Sequence, residues 1–292
     1  PGPGRVAFTT DSYVVRPLFI PGGDIGELAV FGTDNDLAMA GARPVAHSTA
    51  FELDEGLELE VLDRLARSMG RAAGRAGVRL VTGDTKVVDG GPGDGLTITT
   101  AGIGVVPDGV DIGPTRARPG DAMIVSGPLG RHGTAVMSAR DGLAFDTPLT
   151  SDCAPLAELV TAMIATGTDV HVLRDLTRGG LAAALCEIAE VAGVGVHYDE
   201  PSLPIPREVD AACRLLGLDP VHVANEGTLV AMVAPDDTER VLAAMRRIPE
   251  GEGATVIGTI VDEHPGRVTA RTSIGGTRIV TRPLGEQLPR IC

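Results

Sequence analysis

TVIGTIVDEHPGRVTARTSIGGTRIVT, residues 255–281, carries three short runs rich in β-branched side chains, at 255–260, 267–270 and 278–281. The turn signals between them, His264-Pro265-Gly266 and Ser273-Ile274-Gly275-Gly276, leave no room for a helix. Strands in immediate succession argue against a doubly wound sheet, in which helices alternate strictly with strands. The stretch predicts an α+β fold, with helices packed on mixed sheets.

Working upstream, strands are expected at 122–126, 170–173, 195–198 and 228–233, with helices at about 154–165, 181–191, 207–216 and 238–247. A Gly-rich turn over 127–133 leads into one further helix. The first half reads as a strand over 5–15 that runs through Asp11, then apolar residues at helical spacing over 25–40, interrupted by Gly32-Thr33-Asp34-Asn35-Asp36. A strand at 44–53 and a long amphipathic helix at 57–76, ending near Gly77, come next. A strand at 78–82 leads to an acidic loop through Asp84, and a last strand covers 96–106. Pro, Gly, Asp and Arg crowd residues 107–119, the best candidate linker, so two domains are expected at 1–118 and 119–281, followed by a tail at 282–292.

Composition narrows the function. The chain of 292 residues has 43% hydrophobic content, enough for a sizeable core, but only five Phe, two Tyr and no Trp. It therefore lacks the stacking platforms of single-strand nucleic-acid binders, and a net charge of −14 repels a phosphate backbone. Acidity suits a magnesium-nucleotide site instead. No run approaches the ~20 apolar residues that span a bilayer, and no secretory pattern opens the sequence, so a reducing cytoplasm is expected. The cysteines at 153, 186, 213 and 292 show no zinc spacing, and Cys186 and Cys213 read as core residues.

Rarity singles out a few residues: Lys86 is the only lysine among 25 basic residues, and Asn35 and Asn225 are the only asparagines. No Walker A pattern is present, so a nucleotide would be held through carboxylates and magnesium, which prefers a few carboxylate oxygens together with water and phosphate. Asp11, Asp36 and Asp84, each with hydroxyl or Gly neighbours such as Thr85, qualify as ligands. Asp175-Leu176-Thr177-Arg178-Gly179-Gly180 precedes a helix, where amide groups favour anions. Glu226, in Asn225-Glu226-Gly227, stands just before an apolar strand and could face a cleft. His47, His132 and His222 read as satisfied polar side chains.

The last residue is a cysteine, at the end of a segment too rich in Pro and Gly for a helix or central strand. Ten extended residues reach ~33–36 Å, so such a thiol can visit a cleft and a partner protein in turn.

Thr10-Asp11-Ser12-Tyr13-Val14-Val15, Pro21-Gly22-Gly23-Asp24-Ile25-Gly26, Asn35-Asp36-Leu37-Ala38-Met39, Gly83-Asp84-Thr85-Lys86-Val87, Arg174 to Gly180, Asn225-Glu226-Gly227 and the terminal Pro289-Arg290-Ile291-Cys292 together resemble the HypE family of hydrogenase maturation factors. That family sits in the aminoimidazole ribonucleotide synthetase (PurM-like) superfamily, whose members use ATP and form homodimers across their N-terminal domains. The resemblance implies that the terminal thiol receives a carbamoyl group from the carbamoyltransferase HypF. ATP-dependent dehydration would turn it into a thiocyanate destined, through a HypC–HypD iron scaffold, for the iron of a nickel-iron hydrogenase.

It further implies Cys292 as carrier, Glu226 as proton acceptor and Lys86 as electrostatic partner of phosphate or amide oxygen. Asp11, Asp36 and Asp84 would hold Mg²⁺ and ATP, with Asn35, Thr85, Asp175, Gly179 and Gly180 beside the nucleotide. Arg290 is expected to favour the thiolate. A Gly-rich, acidic stretch preceding the position of Pro1 is expected to add to nucleotide binding. A non-enzymatic thiol carrier, or an ATP-dependent enzyme acting on a small molecule, are the alternative readings.

Overall fold

The computed structural model describes residues 4–89, 95–142, 148–283 and 291–292. The first half contains β1 (Arg5–Tyr13), β2 (Phe19–Ile20), β3 (Gly23–Asp24), α1 (Ile25–Met39), β4 (Arg43–Asp54), α2 (Leu59–Ala76), β5 (Arg79–Val88) and β6 (Leu96–Val106). The second contains β7 (Ala122–Val125), α3 (Arg131–Asp141), α4 (Ala157–Ile164), β8 (Val170–Asp175), α5 (Gly180–Ala192), β9 (Gly195–Asp199) and α6 (Arg207–Leu216). It closes with β10 (Leu229–Val233), α7 (Thr238–Met245), β11 (Thr255–Val261), β12 (Val268–Arg271) and β13 (Thr277–Val280).

Two mixed sheets result, as the succession of strands in 255–281 implies. The first half builds a four-stranded sheet in the order β1-β6-β4-β5, antiparallel except for β4 with β5. The second builds a seven-stranded sheet in the order β13-β12-β9-β11-β7-β10-β8, antiparallel except for β12 with β9. Its middle strands are buried on both faces: Met123, Val125, Val230 and Met232 pack under α5, while Ile124, Leu229, Ala231 and Val233 pack under α4 and α7. Such strands read as continuous apolar runs, since neither face meets water.

Helices cover one face of the four-stranded sheet. α2 offers a stripe of Leu65, Met69, Ala72 and Ala73 to α1 and stops at Gly77, whose φ of 71° closes the helix in the left-handed region. Leu65 and Met69 contribute about 1.5–3 kcal/mol each.

α1 departs from expectation. It runs without interruption through Gly32-Thr33-Asp34-Asn35-Asp36. Those residues are helix-breaking in composition, but tertiary contacts hold them: a Cβ on Gly32 would lie 2.3 Å from the Tyr13 hydroxyl, so glycine is there for close packing. Thr33 meets the Thr100 hydroxyl, and Asn35 bonds loop backbone in the second half. β5 departs as well, extending to Val88 where an acidic loop through Asp84 was expected. It pairs with β4 from Ala46↔Arg79 to Asp54↔Val88, and its polar residues lie exposed at the sheet's edge.

Candidate active site around the terminal cysteine

β1 alternates between the two faces of its sheet, sending Thr9, Asp11 and Tyr13 towards α1. Asp36 on α1 accepts a hydrogen bond from the Thr9 hydroxyl at 2.8 Å, which ties it to the same region. From the other sheet, β8 ends at Asp175 and runs into Thr177 and Arg178, while Glu226 precedes β10. These elements converge on a cavity of about 260 Å³ lined by Thr10, Asp11, Tyr13, Asp36, Arg174, Asp175, Thr177, Arg178, Glu226 and Cys292. Five residues singled out in the sequence, scattered from position 11 to 292, thus share one space.

The terminal cysteine is held there by its neighbour. Ile291 is buried, bridges Val15 in antiparallel fashion and offers its carbonyl oxygen to His132 Nε2 at 2.6 Å. Arg290, expected beside the thiol, lies outside the described residues.

Glu226 is 3% exposed, and its Oε1 has no hydrogen-bond partner among the described residues. Its backbone is fixed tightly all the same. Asp152 accepts from Glu226 N at 3.1 Å, Gly227 N at 3.2 Å and the Thr228 hydroxyl at 2.9 Å. A Cβ on Gly227 would lie 1.8 Å from the Asp152 carbonyl oxygen, so only glycine lets the two segments pass.

Carboxylates outnumber cations in the cavity, and several of them hold protons more tightly than in water. Burial raises the Glu226 carboxyl well above the ordinary range, and the charges of Asp175, Asp152 and Asp11 push it further against the pull of Arg178. Burial likewise raises Asp175 to about 6, with Arg174, bonded at 2.9 Å, opposing. Asp36 is raised by burial as well, against the hydrogen bond from Thr9. A site with this excess of acid invites cations.

The remaining candidates lie elsewhere. Asn35 is 2% exposed and spent on the chain itself, donating to the carbonyl oxygens of Ala154 at 3.1 Å and Glu226 at 3.4 Å and accepting from Leu156 N at 2.7 Å. It braces Glu226 from behind. Gly179 and Gly180 open α5 with φ of 78° and 59°, and a Cβ on Gly180 would lie 2.6 Å from the Val223 carbonyl oxygen.

Asp84, Thr85 and Lys86 stand on β5, at the opposite edge of the sheet from β1. Asp11 belongs to the cross-strand row Asp11-Thr100-Thr49-Gly83, three strand spacings or roughly 14 Å long, and Thr100 places that row on the α1 side. Asp84 belongs to the next row, Ser12-Thr99-Ala50-Asp84, and Lys86 pairs with exposed Glu52, so both point away from α1. One chain therefore does not bring Asp84 to Asp11 and Asp36. Among the described residues no cluster of three or more His, Cys, Asp or Glu side chains could hold a metal ion by itself.

Of the histidines, His132 is satisfied at both nitrogens and His222 bonds the Thr281 carbonyl oxygen at 3.2 Å. His47 corrects the expectation. It is 1% exposed with neither nitrogen bonded among the described residues, and burial pushes its pKa down to about 4, which keeps it neutral. Arg174, Arg178 and Tyr13 carried no role in the sequence reading, although each stood inside a quoted segment. Asp152 and His132 gave no local signal, since their partners lie 74 and 159 residues away.

Residues 1–106 match the N-terminal domain, and residues 118–271 the C-terminal domain, of AIR synthase related proteins. The carbamoyl dehydratase HypE of Rhodobacter capsulatus is 54% identical, covering 99% of this chain and 85% of its own. A crystal structure of the hydrogenase maturation protein HypE in complex with ATP superposes with a TM-score of 0.96 at 45% identity, over 99% of this chain and 88% of the other. A HypE–HypF complex matches with a TM-score of 0.92 at 46% identity, over 95% of this chain and 90% of the other. The chain belongs to the HypE carbamoyl dehydratase family of AIR synthase related proteins.

Proposed function

We propose that this chain is an ATP-dependent dehydratase of hydrogenase maturation whose substrate is its own C-terminus. An S-carbamoyl group on Cys292 is converted to a thiocyanate, the source of a cyanide ligand for nickel-iron hydrogenase. The observation that carries this reading is the position of Cys292 in the cavity that also holds Glu226, Asp11, Asp36 and Asp175. HypF, seen bound to a HypE relative, is the proposed donor of the carbamoyl group, and a HypC–HypD scaffold the acceptor of the cyanide.

The residues fit a magnesium nucleotide better than a bare metal. Mg²⁺ is commonly held by one or two carboxylates, its other positions taken by water and phosphate oxygens, and Asp11 and Asp36 supply that number from one chain. Arg178 and Arg174 offer cationic donors to phosphate, and Gly179 and Gly180 open a helix N-terminus beside them. A cavity of about 260 Å³ is smaller than the ~300–1,000 Å³ typical of small-molecule sites, so it suits the reacting end rather than a whole nucleotide.

ATP supplies activation of the carboxamide oxygen, which departs with phosphate as two N–H protons are lost and the C≡N bond forms. Glu226 Oε1 has no hydrogen-bond partner among the described residues, which suits it to accept one of those protons. It can do so only when ionised. Burial chiefly holds its proton on, with the charges of Asp175, Asp152 and Asp11 adding to it, and a cation held at Asp11 and Asp36 would offset the Asp11 part and favour the ionised base. Burial around Glu226 and Tyr13 excludes the water that would hydrolyse the thioester-like carbamoyl group.

Lys86, Asp84 and Thr85 enter this reading through a second copy. The face of the four-stranded sheet turned from α1 exposes Val6, Phe8 and Ile103, an unusual apolar surface, and the β5 edge beside it adds exposed Val81 and Val87. A homodimer across that face would bury it and carry one chain's Lys86 towards the β1 edge of the other, where Thr10 and Asp11 open the cavity.

The test is ATP hydrolysis in the presence of HypF and carbamoyl phosphate. Removing residues 289–292 abolishes the HypF-dependent increment if the tail is the substrate. Undiminished turnover would instead favour a small-molecule substrate.

A further inference from the structure

We propose that His132 is the positioning residue that seats the terminal cysteine, acting through the peptide carbonyl before it. His132 is fully buried near the start of α3, with Nε2 2.6 Å from the Ile291 carbonyl oxygen and Nδ1 2.9 Å from the Ser151 hydroxyl. A carbonyl oxygen can only accept, so Nε2 carries the proton. Ser151 Oγ already accepts from Cys153 N at 3.0 Å, so its own hydrogen is free to point at Nδ1. The serine thereby selects the tautomer that grips the tail. Burial lowers the pKa of the ring, consistent with a neutral donor.

Ser151 is itself anchored, its N–H donating to the Pro21 carbonyl oxygen at 2.8 Å. The next residue, Asp152, is the one that grips the Glu226 loop. Adjacent residues thus hold the two reacting parties: Ser151, through His132, the peptide that bears the sulfur, and Asp152 the peptide that bears the carboxyl. Ile291 reinforces the seat by its bridge to Val15, but that contact is backbone to backbone and takes no side chain.

The seat needs only the geometry above, whereas its effect on dehydration rests on the function proposed for the site. Two measurements separate them. In the full chain, the rate at which iodoacetamide alkylates Cys292 is followed by mass of the C-terminal peptide, with buried Cys153, Cys186 and Cys213 as internal controls. His132→Ala is expected to raise that rate about 3–10-fold, the worth of one net hydrogen bond, while His132→Gln, whose amide can donate to one partner and accept from the other, stays within about twofold of the wild type.

Equal rates in all three chains, at unchanged melting temperature, overturn the proposal. Where His132→Ala does not fold, Ser151→Ala decides, with an expected rise of about 2–3-fold and no rise as the contrary result. In single-turnover dehydration of the carbamoylated chain, His132→Ala falls by a similar factor and His132→Gln restores the rate. A faster alkylation in His132→Ala with no dehydration even in the wild type leaves the seat standing and removes the proposed reaction.

Discussion

The two faces of the four-stranded sheet are written into the same strands, residue by residue, and they could hardly differ more. On the α1 face, Asp11 and Tyr13 line one cavity with Asp36, Asp175 and Glu226, and burial there raises the pKa of Asp36, Asp175 and Glu226 above the ordinary carboxyl range. On the other face, which exposes Phe8 and Ile103, Asp84 and Lys86 stand exposed near Glu52. What separates them is only what packs above. A carboxylate becomes a reagent where neighbours exclude water and withhold a counter-ion, and stays an ordinary surface charge where they do not.

The comparison breaks first at Glu226. Glu226→Gln preserves shape and removes the only acid–base function of the group, so the dehydration rate should fall about 10²–10⁴-fold with the fold intact. Single-turnover rates on carbamoylated protein read this directly, and a loss below about tenfold would take Glu226 out of the chemistry.

The enclosed face also predicts a cost in stability. Asp34, on the same helix, is fully buried with neither oxygen bonded among the described residues, and burial raises its pKa to about 7. The folded state then binds the proton more tightly than the unfolded chain. That stability is fully present below pH ~4 and is lost as pH rises through about 7, by roughly 4 kcal/mol in all. Asp34→Asn, which cannot ionise, should melt like the wild type at pH 4 and distinctly higher at pH 8. Parallel melting curves at both pH values would show that Asp34 finds a partner in solution.

The solvent-facing side is sharpened by mixing chains. Lys86→Ala should lower activity about 10²–10³-fold, the range of a lost electrostatic donor. Cys292→Ala should be inactive. If Lys86 serves the cavity of a second copy, an equal mixture of the two variants assembles half its dimers as hybrids, each with one complete site. Activity then returns to about a quarter of the wild type. No recovery on mixing contradicts service across the dimer. The smallest effect lies on the same residue: Lys86→Ala in an exposed strand should change the free energy of unfolding by no more than about 0.5 kcal/mol, measured by urea titration.

Much of this was legible because it is local. Turn signals at His264-Pro265-Gly266 and Gly275-Gly276 separated the strands that fixed the α+β class, and the lone lysine and terminal cysteine declared themselves by rarity and position. The continuity of α1 was not legible. Gly32 and Asn35 sit in that helix because Tyr13 and the loop at 154–156 lie against them, contacts spanning up to 121 residues. Nor was the side of the sheet that Lys86 takes, which depends on a strand register that reading an acidic loop through Asp84 conceals. His132 and Asp152 stayed hidden because neither composition nor spacing marks a residue whose task is to hold another chain segment in place.

The central claim is that this polypeptide carries and consumes its own substrate on its last sulfur. Tandem mass spectrometry of the C-terminal peptide, after carbamoylation by HypF and incubation with Mg-ATP, tests it most directly. The account predicts that Cys292 gains a carbamoyl group and then loses one water, and that Glu226→Gln stops at the first product. A carbamoylated Cys292 that persists unchanged with ATP, or a loss of water mapped to any other residue, would contradict it.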